Sequence, residues 1–184
     1  MDNLENKDEA EKYLGLAMQA YAEEKYEEAF KLYKKAAEQG DVDAQTKLGL
    51  MYERGIGVGQ DFTKALEWYE KVAEQGDIDA QTKLGLWYEV GIVVGQDYTK
   101  ALEWYEKAAE QGDANAQYAL AEMYANRYGV GVEKDYEKAF EWYKKAAEQG
   151  DADAQYNLGV MYSRGDGVVQ NYEKAFEWHK KAAA

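Results

Sequence analysis

A pentapeptide that recurs at a nearly constant interval constrains the fold of this chain more than any other feature. Ala-Glu-Gln-Gly-Asp begins at residues 37, 73, 109 and 147, at intervals of 36, 36 and 38 residues. Residues 37–72 and 73–108 differ at only six positions, and the third interval carries about two extra residues near 126–128. A unit of this length cannot bury its apolar face alone, so neighbouring units must stack on one another.

Each unit carries two helical patterns. The first spans about residues 43–54, with apolar side chains at i, i+4, i+7 and i+8 spacing, and the second spans about residues 62–75. A glycine-rich segment, residues 55–59, separates the two patterns, and Gly76 follows the second. The chain is therefore predicted to be all-α, a row of helix–turn–helix units.

Short acidic residues precede both helices of a unit. Asp41 or Asp43 is placed to cap the first helix and Asp61 the second, because a short carboxylate accepts from the free N–H groups of a first turn. The paired aspartates at 77 and 79 lack the glycine and the spacing of a calcium loop. Since such a pair recurs at other helix starts, we interpret it as capping too.

A multi-residue pattern recurs around these helices. In one unit its members are Leu48-Gly49, Tyr52, Gly55, Gly57-Val58, Asp61-Phe62, Lys64-Ala65, Trp68-Tyr69, Ala73-Glu-Gln-Gly76 and Ala80-Gln81. The pattern occurs four times over about residues 37–184 and resembles the Sel1-like repeat, a relative of the tetratricopeptide repeat. The resemblance implies a right-handed α-solenoid of stacked antiparallel helix pairs, whose first helices line a concave face. It also implies a scaffold or adaptor that holds other proteins.

We expect residues 1–184 to form a single repeat array. The predicted Sel1-like units are residues 41–76, 77–112, 113–150 and 151–184. Residues 1–40 form a divergent unit, closer to the tetratricopeptide version, in which a short charged turn, Glu23-Glu-Lys25, replaces the glycine loop. A polar, atypical first unit is typical of the cap that a repeat array needs.

The composition is strongly acidic. The chain has 22 basic and 36 acidic residues and a net charge of −14 at pH 7. Such a charge repels nucleic acid and anionic lipid and favours basic protein partners. There is no apolar stretch near the roughly 20 residues of a membrane helix, and the first ten residues do not resemble a signal peptide, so we expect a cytoplasmic protein. With no cysteine, the chain also lacks the disulfides that some secreted bacterial members carry.

The sequence predicts a protein that is not an enzyme. It contains one serine, Ser163, one histidine, His179, and no cysteine, which is too few groups for a nucleophile–base set; no cofactor or metal is expected. His179 occupies the position of Tyr69, and we interpret it as a terminal tyrosine replaced by a more water-tolerant residue. The glycine loops follow helices rather than strands, so they are turns and not phosphate-binding loops. A hydrolase, suggested for some relatives, is the enzymatic alternative.

Positions that differ between units are those that can encode a partner. Positions that stay the same maintain the stack, as we expect for the Trp-Tyr pairs at 68/69, 104/105 and 142/143. The variable positions of the first helices fall on one helical stripe. From them we predict a protein-binding site that comprises Leu50, Arg54, Leu86, Trp87, Val90, Tyr118, Glu122, Tyr156, Val160 and Arg164.

The sharpest local signal within this set is a cluster of three non-conservative differences between the first two full units. They are Trp87 for Met51, Val90 for Arg54 and Val93 for Gly57. With Leu86 and Ile92 they would make an exposed apolar patch, which usually marks a contact site. In the alternative interpretation Trp87 turns inward to fill a gap, and the two valines are merely tolerated.

These observations together predict a non-catalytic scaffold that binds a protein or peptide. A second interpretation is a structural or engineered array without a ligand, which the near-identity of the units and the absence of proline and cysteine also fit. No polar closing helix follows the last pattern, which still carries Phe176 and Trp178. We interpret this as truncation or as end-to-end association with another copy or a partner.

Overall fold

The computed structural model describes residues 2–126 and 132–184, with side chains from Asn6 onward, so residues 127 and 128 of the expected insertion lie outside it. The described residues form helices and turns and contain no strand, which confirms the all-α fold class. The helices are α1 (Asp2–Ala22), α2 (Tyr26–Glu38), α3 (Val42–Arg54), α4 (Phe62–Glu74), α5 (Ile78–Val90), α6 (Tyr98–Glu110), α7 (Ala114–Tyr124), α8 (Tyr136–Glu148), α9 (Ala152–Arg164) and α10 (Tyr172–Ala182).

Side-chain caps fix the starts of these helices. The Asp41 carboxylate accepts from the backbone N–H of Ala44 at 2.8 Å, so Asp41 rather than Asp43 caps α3. Asp61 caps α4 in the same way, through the N–H of Lys64 at 3.0 Å. Later helices repeat the arrangement with the residues Asp77, Asp97, Asp113, Asp135, Asp151 and Asn171. Each cap stabilises its helix by about 1 kcal/mol.

The glycine loops hold neighbouring hairpins close together. Gly57 has φ of +68°, in the left-handed region, and a Cβ there would overlap the backbone carbonyl of Tyr26 at the start of α2. Gly167 has the same φ and lies in the same way against the carbonyl of Tyr136 at the start of α8. Only glycine permits this approach, so these loops are structural turns.

The chain divides into two compact units, residues 1–80 and 81–184, which are described separately. In the first unit, α1 to α4 pack around small and aromatic side chains. Tyr33, Leu48 and Met51 are almost completely buried there. Successive hairpins also meet through aromatic rings, since Phe30 of α2 and Tyr52 of α3 pack edge to face with ring centroids 5.3 Å apart.

The second unit repeats this packing with equivalent residues. Leu84, Leu120 and Leu158 are fully buried, at the positions of Leu48 in the first unit. Phe140 of α8 and Tyr162 of α9 pack edge to face with ring centroids 5.4 Å apart. The same side-chain contact therefore joins consecutive hairpins in both units.

Within a hairpin, a tyrosine ring lies on a glycine of the first helix. A Cβ on Gly49 would lie 2.7 Å from the ring of Tyr69, and one on Gly85 would lie 2.5 Å from the ring of Tyr105. These tyrosines and Tyr143 are buried, which confirms the core prediction for the second member of each Trp-Tyr pair.

The tryptophans of the same pairs are only half-buried, so the core prediction was wrong for them in part. Each tryptophan ring is covered by the ammonium group of a lysine one turn later in its helix. The lysine nitrogens of Lys71, Lys107 and Lys145 lie 4.2, 3.9 and 3.8 Å from the ring centroids of Trp68, Trp104 and Trp142. The tryptophans thus bury one face and offer the other to a cation.

A glutamine relay joins the α3–α4 hairpin to α2 in the first unit and the α7–α8 hairpin to α6 in the second. In the first unit the Gln45 amide donates to the Ala37 carbonyl at 3.1 Å, and Gln75 donates to the Gln45 side-chain oxygen at 2.7 Å. In the second unit Gln117 and Gln149 make the equivalent bonds. Because Gln45 and Gln117 are buried, these bonds satisfy polar groups that would otherwise destabilise the fold.

Candidate protein-binding site

The ten residues predicted to bind a partner lie on four first helices. Leu50 and Arg54 are on α3, in the first unit, where Leu50 is half-buried and Arg54 exposed. The others are in the second unit: Leu86, Trp87 and Val90 on α5, Tyr118 and Glu122 on α7, and Tyr156, Val160 and Arg164 on α9.

The prediction that Trp87 forms part of an exposed patch was wrong. Its side chain is only 5% exposed, and it occupies the inward position that Met51 fills, at 1% exposure, in the first unit. The larger indole therefore fills core volume, as the alternative interpretation held. Leu86 and Val90 remain on the surface, at 47% and 55% exposure.

Glu122 is likewise not an exposed contact residue. It is 6% exposed, and its Oε1 accepts from the Tyr143 hydroxyl and from the Asn157 side-chain amide, the latter at 3.3 Å. A carboxylate is buried only when hydrogen bonds compensate for the loss of water. Glu122 therefore joins α7 to α8 and α9 beneath the surface.

The other hairpins show what is unusual about Glu122. In α3–α4 the Tyr69 hydroxyl donates to Glu53 at 2.5 Å, and in α5–α6 the Tyr105 hydroxyl donates to Glu89 at 2.8 Å. Burial is the main cause that raises the pKa of both tyrosines, and the adjacent carboxylates raise it further. In α7–α8 the Tyr143 hydroxyl donates to Glu122 instead, which lies one turn earlier in the first helix than the position of Glu53 and Glu89.

This exchange leaves a space in the second unit. Ala125 stands at the position of Glu53 and Glu89, and beside it is a cavity of about 100 Å³, room for roughly three water molecules. Its lining residues come from α8, from α9 and from the turns that follow α7 and α9. They are Ala125, Tyr136, Tyr143, Asn157, Val160, Met161, Arg164 and Asp166.

The cavity brings together several of the predicted residues. Val160 and Arg164 line it, Glu122 is hydrogen-bonded to two lining residues, and the Tyr118 ring packs edge to face on Tyr143 with centroids 5.8 Å apart. Tyr156 lies one turn before Val160 on α9 and is 54% exposed. We call Tyr118, Tyr156, Val160, Arg164 and the cavity the α7–α9 surface.

The electrostatic balance of this surface is negative. The carboxylate of Glu122 is buried beneath it and that of Asp166 lines the cavity, whereas Arg164 contributes one exposed guanidinium group. In a site of low dielectric such charges act more strongly than they do in water. The arrangement therefore favours a cationic group over an anionic one.

Other chemistry of the described residues is limited. The Ser163 hydroxyl donates to the carbonyl of Val160 at 2.7 Å, and the His179 ring stacks on Tyr156 with centroids 5.2 Å apart. His179 is half-buried, whereas the equivalent Tyr69 is buried, although the Nε2 atom of His179 is itself buried. Among the described residues there is no cluster of acidic or histidine side chains that could hold a metal ion, and none of their helices is long and apolar enough to cross a membrane.

Of the eight residues that line the cavity, only Val160 and Arg164 were among the predicted binding residues, and the two that hydrogen-bond to Glu122, Tyr143 and Asn157, were missed. Tyr143 was assigned to the core alone and Asn157 was not considered. The signal was present as two coupled differences from the two units before it: Glu122 stands where those units have leucine, and Ala125 where they have glutamate. Read together, they indicate that the carboxylate has moved by one helical turn.

A comparison of the sequence with models of protein families identifies the repeated unit. The Sel1 repeat model matches five consecutive segments, residues 8–41, 42–77, 78–113, 114–151 and 152–184. The chain belongs to the Sel1 repeat family. The match to residues 8–41 shows that the divergent first hairpin is also a Sel1 repeat, although its turn lacks the glycine loop. Repeats of this class typically mediate protein interactions and are generally found in scaffolds without enzymatic activity.

Solved structures of other Sel1 repeat proteins are similar to this one. A Sel1 repeat protein from Oxalobacter formigenes is 44% identical, with a TM-score of 0.72, over 85% of this chain and 63% of its own. The protein c5321, a protective antigen of uropathogenic Escherichia coli, is 34% identical, with a TM-score of 0.67, over 95% of this chain and 45% of its own. This Sel1 repeat chain thus spans less than two thirds of the length of either relative.

Cysteine-rich protein B of Helicobacter pylori is 30% identical, with a TM-score of 0.51, over 67% of this chain. The present chain shares its repeat fold without having a cysteine. A search of curated proteins gave no significant match.

Proposed function

We propose that this Sel1 repeat protein is a non-catalytic scaffold that binds a protein segment on the α7–α9 surface. A basic side chain of that segment would enter the cavity, and its neighbours would contact Tyr118, Tyr156 and Val160. The observation that carries the proposal is the cavity beside Ala125, at the position where two other hairpins hold a glutamate side chain.

The cavity supports a binding role because two of the polar side chains in its walls are already fixed. Tyr143 and Asn157 are held by hydrogen bonds to Glu122, so they do not have to be ordered when a ligand arrives. Binding to a pre-organised site avoids part of the entropy cost of association. Tyr118 and Tyr156 add aromatic surface at the rim, the kind of side chain that anchors protein interfaces.

Charge supports a basic ligand. Glu122 and Asp166 place two carboxylates at or beneath the surface against the single guanidinium of Arg164. The net charge of −14 extends this preference to long range and raises the association rate of a basic partner at low salt.

A set of fluorescent decapeptides tests the proposal directly. Each peptide has alanine and tyrosine flanks and carries lysine, norleucine or glutamate at the centre, and its binding is followed by fluorescence anisotropy. We expect the lysine peptide to bind at least tenfold more tightly than the other two, and its affinity to fall as salt is raised.

The chain offers a matched pair of protein variants for this assay. Ala125→Gln fills the cavity with a side chain of the size that Glu53 and Glu89 have, without adding charge, and should weaken the lysine peptide by tenfold or more. Met18→Gln, at an exposed position of α1, should leave binding unchanged. Equal binding of the lysine peptide to wild type and Ala125→Gln, or equal binding of the lysine and norleucine peptides, would contradict the proposal.

A further inference from the structure

An exposed apolar patch lies at the end of α5. Leu86 and Val90, one turn apart on the same face of the helix, are 47% and 55% exposed. Ile92 and Val94, in the loop that follows, are both 43% exposed. We call these four residues the α5 patch. Exposed apolar patches usually mark a contact.

The loop contributes to the α5 patch because it lacks a glycine. Val93 stands at the position of Gly57, where φ is +68° and a Cβ would overlap a backbone carbonyl. Val93 does not adopt that φ, so its loop takes a different conformation. In the Gly57 loop, Ile56 and Val58 are half-buried against the core, whereas their counterparts in the α5 patch are exposed.

The α5 patch carries no charge. At the position of Val90, helices α3 and α9 have the exposed side chains of Arg54 and Arg164. Glu89 is next to Val90 in the chain, but its carboxylate accepts from the Tyr105 hydroxyl at 2.8 Å. The α5 patch therefore suits an apolar side chain, whereas the cavity of the α7–α9 surface suits a cation.

The α5 patch adjoins the α7–α9 surface. Thr82, one turn before Leu86 on the same face of α5, donates to the Asp113 carboxylate at the start of α7 at 3.1 Å. Successive first helices of the solenoid run in the same direction. From this contact, α5 therefore leads to Leu86 and α7 leads to Tyr118. A segment that crosses the α7–α9 surface towards α5 reaches the α5 patch next.

The stacking of the helices sets the distance between the two surfaces. Packed helices lie about 8–10 Å apart, and the cavity lies between α7 and α9, so the α5 patch is roughly 12–15 Å from it. An extended segment advances about 3.3 Å per residue, and residues an even number apart point to the same side. Four residues cover about 13 Å and keep both side chains towards the protein.

We propose that the segment bound at the α7–α9 surface carries an apolar side chain four residues from its basic residue, and that this side chain packs on the α5 patch. The inference rests on the proposed function and adds the requirement that selects a partner. Two anchors of different chemistry, a cation and an apolar group, must occur at a fixed spacing.

Leucine-containing versions of the lysine decapeptide test this inference by fluorescence anisotropy. A single leucine replaces an alanine four residues before the lysine, four residues after it, or three residues away on either side. For one direction of the segment, we expect the four-residue spacing to bind about tenfold more tightly than the plain lysine peptide, because a leucine is removed from water. The three-residue spacing on that side should gain less than threefold.

A matched pair of double variants locates the added contact. Leu86→Gln with Val90→Gln removes apolar surface from the α5 patch without changing charge. It should abolish the gain from leucine and leave the plain lysine peptide within twofold of its wild-type affinity. Leu16→Gln with Met18→Gln makes the same kind of change on α1, at residues that are 43% and 58% exposed, and should keep the gain. Because all four residues are exposed, both proteins should keep the wild-type circular dichroism spectrum.

Val90→Arg tests the contact by a gain of binding. It introduces the residue that α3 and α9 carry at this position. With this variant, a peptide with glutamate at the four-residue spacing should bind about threefold more tightly than the peptide with leucine there. Wild type should show the opposite preference.

The outcomes separate this inference from the proposed function. If leucine gives no gain at either four-residue spacing, or if the gain survives Leu86→Gln with Val90→Gln, the inference is overturned while the lysine preference still supports the proposed function. An equal gain at three and four residues would overturn the fixed spacing. Equal binding of the plain lysine and norleucine peptides would overturn both proposals.

Discussion

Replacing Gly49 by alanine should destabilise the first unit, although alanine is normally the better helix former. A Gly→Ala change inside a helix gains roughly 0.5–1 kcal/mol. At Gly49 the new Cβ would lie 2.7 Å from Cε1 and 3.0 Å from Cδ1 of the Tyr69 ring. That ring cannot move away cheaply, because it is 3% exposed and its hydroxyl is held by Glu53 at 2.5 Å. Overpacking of this kind costs about 1–3 kcal/mol, so we expect a net loss of about 1 kcal/mol or more.

Gly15 supplies the matched control in the same unit. It also lies within a helix, α1, but a Cβ there would have no heavy atom within 4 Å. Gly15→Ala should therefore gain up to about 1 kcal/mol, so that the two variants differ by about 2 kcal/mol. In urea unfolding followed by circular dichroism, this difference separates the midpoints by about 1 M for a slope near 2 kcal/mol/M. If Gly49→Ala is as stable as Gly15→Ala, the close packing of Tyr69 on this glycine does not limit the fold.

Three further predictions concern pH, a substituted hydrogen bond and a helix cap. Burial, and then the hydrogen bond to a carboxylate, raise the pKa of Tyr124 to about 12. Because an unfolded tyrosine ionises near pH 10, the free energy of unfolding should be constant just below pH 10 and should fall between about pH 10 and 12. A urea midpoint that stays flat across that window would contradict this. Ser163→Glu with His179→Tyr recreates the tyrosine–glutamate pair of other hairpins and should raise the free energy of unfolding by about 1 kcal/mol over the sum of the single variants, as a double-mutant cycle of thermal unfolding can measure. Asp151→Ala should cost about 1 kcal/mol through the lost cap of α9, whereas Asp153→Ala, two residues later, should cost less; equal melting temperatures for the two would refute the assignment of the cap.

The positions of the helices could be predicted from the sequence because the signals that specify them are local. Asp61 and Gly76 bound the second helix of a unit by capping and by a left-handed turn, and both act within a few residues of themselves. The period of the repeat then required stacking. The all-α fold class follows from these two facts.

The candidate site was predicted less well because side-chain direction depends on neighbouring helices. Trp87 and Leu86 are adjacent and both apolar, yet one is 5% and the other 47% exposed. The helical pattern included Met51 on the apolar side of its helix, but the replacement by Trp87 was interpreted as a difference at the surface. Glu122 was misplaced for a similar reason, since its burial depends on Tyr143 and Asn157, which lie on other helices.

The glutamine relay has an evolutionary consequence. Gln45 donates to a backbone carbonyl at the end of the preceding hairpin and accepts from Gln75 of its own hairpin. Gln117 and Gln149 make the same two hydrogen bonds in the second unit. A duplicated segment would therefore carry its own polar connections and find matching acceptors wherever it was inserted in register. Adding such a segment in register would therefore preserve buried polar pairing without any compensating change elsewhere in the chain.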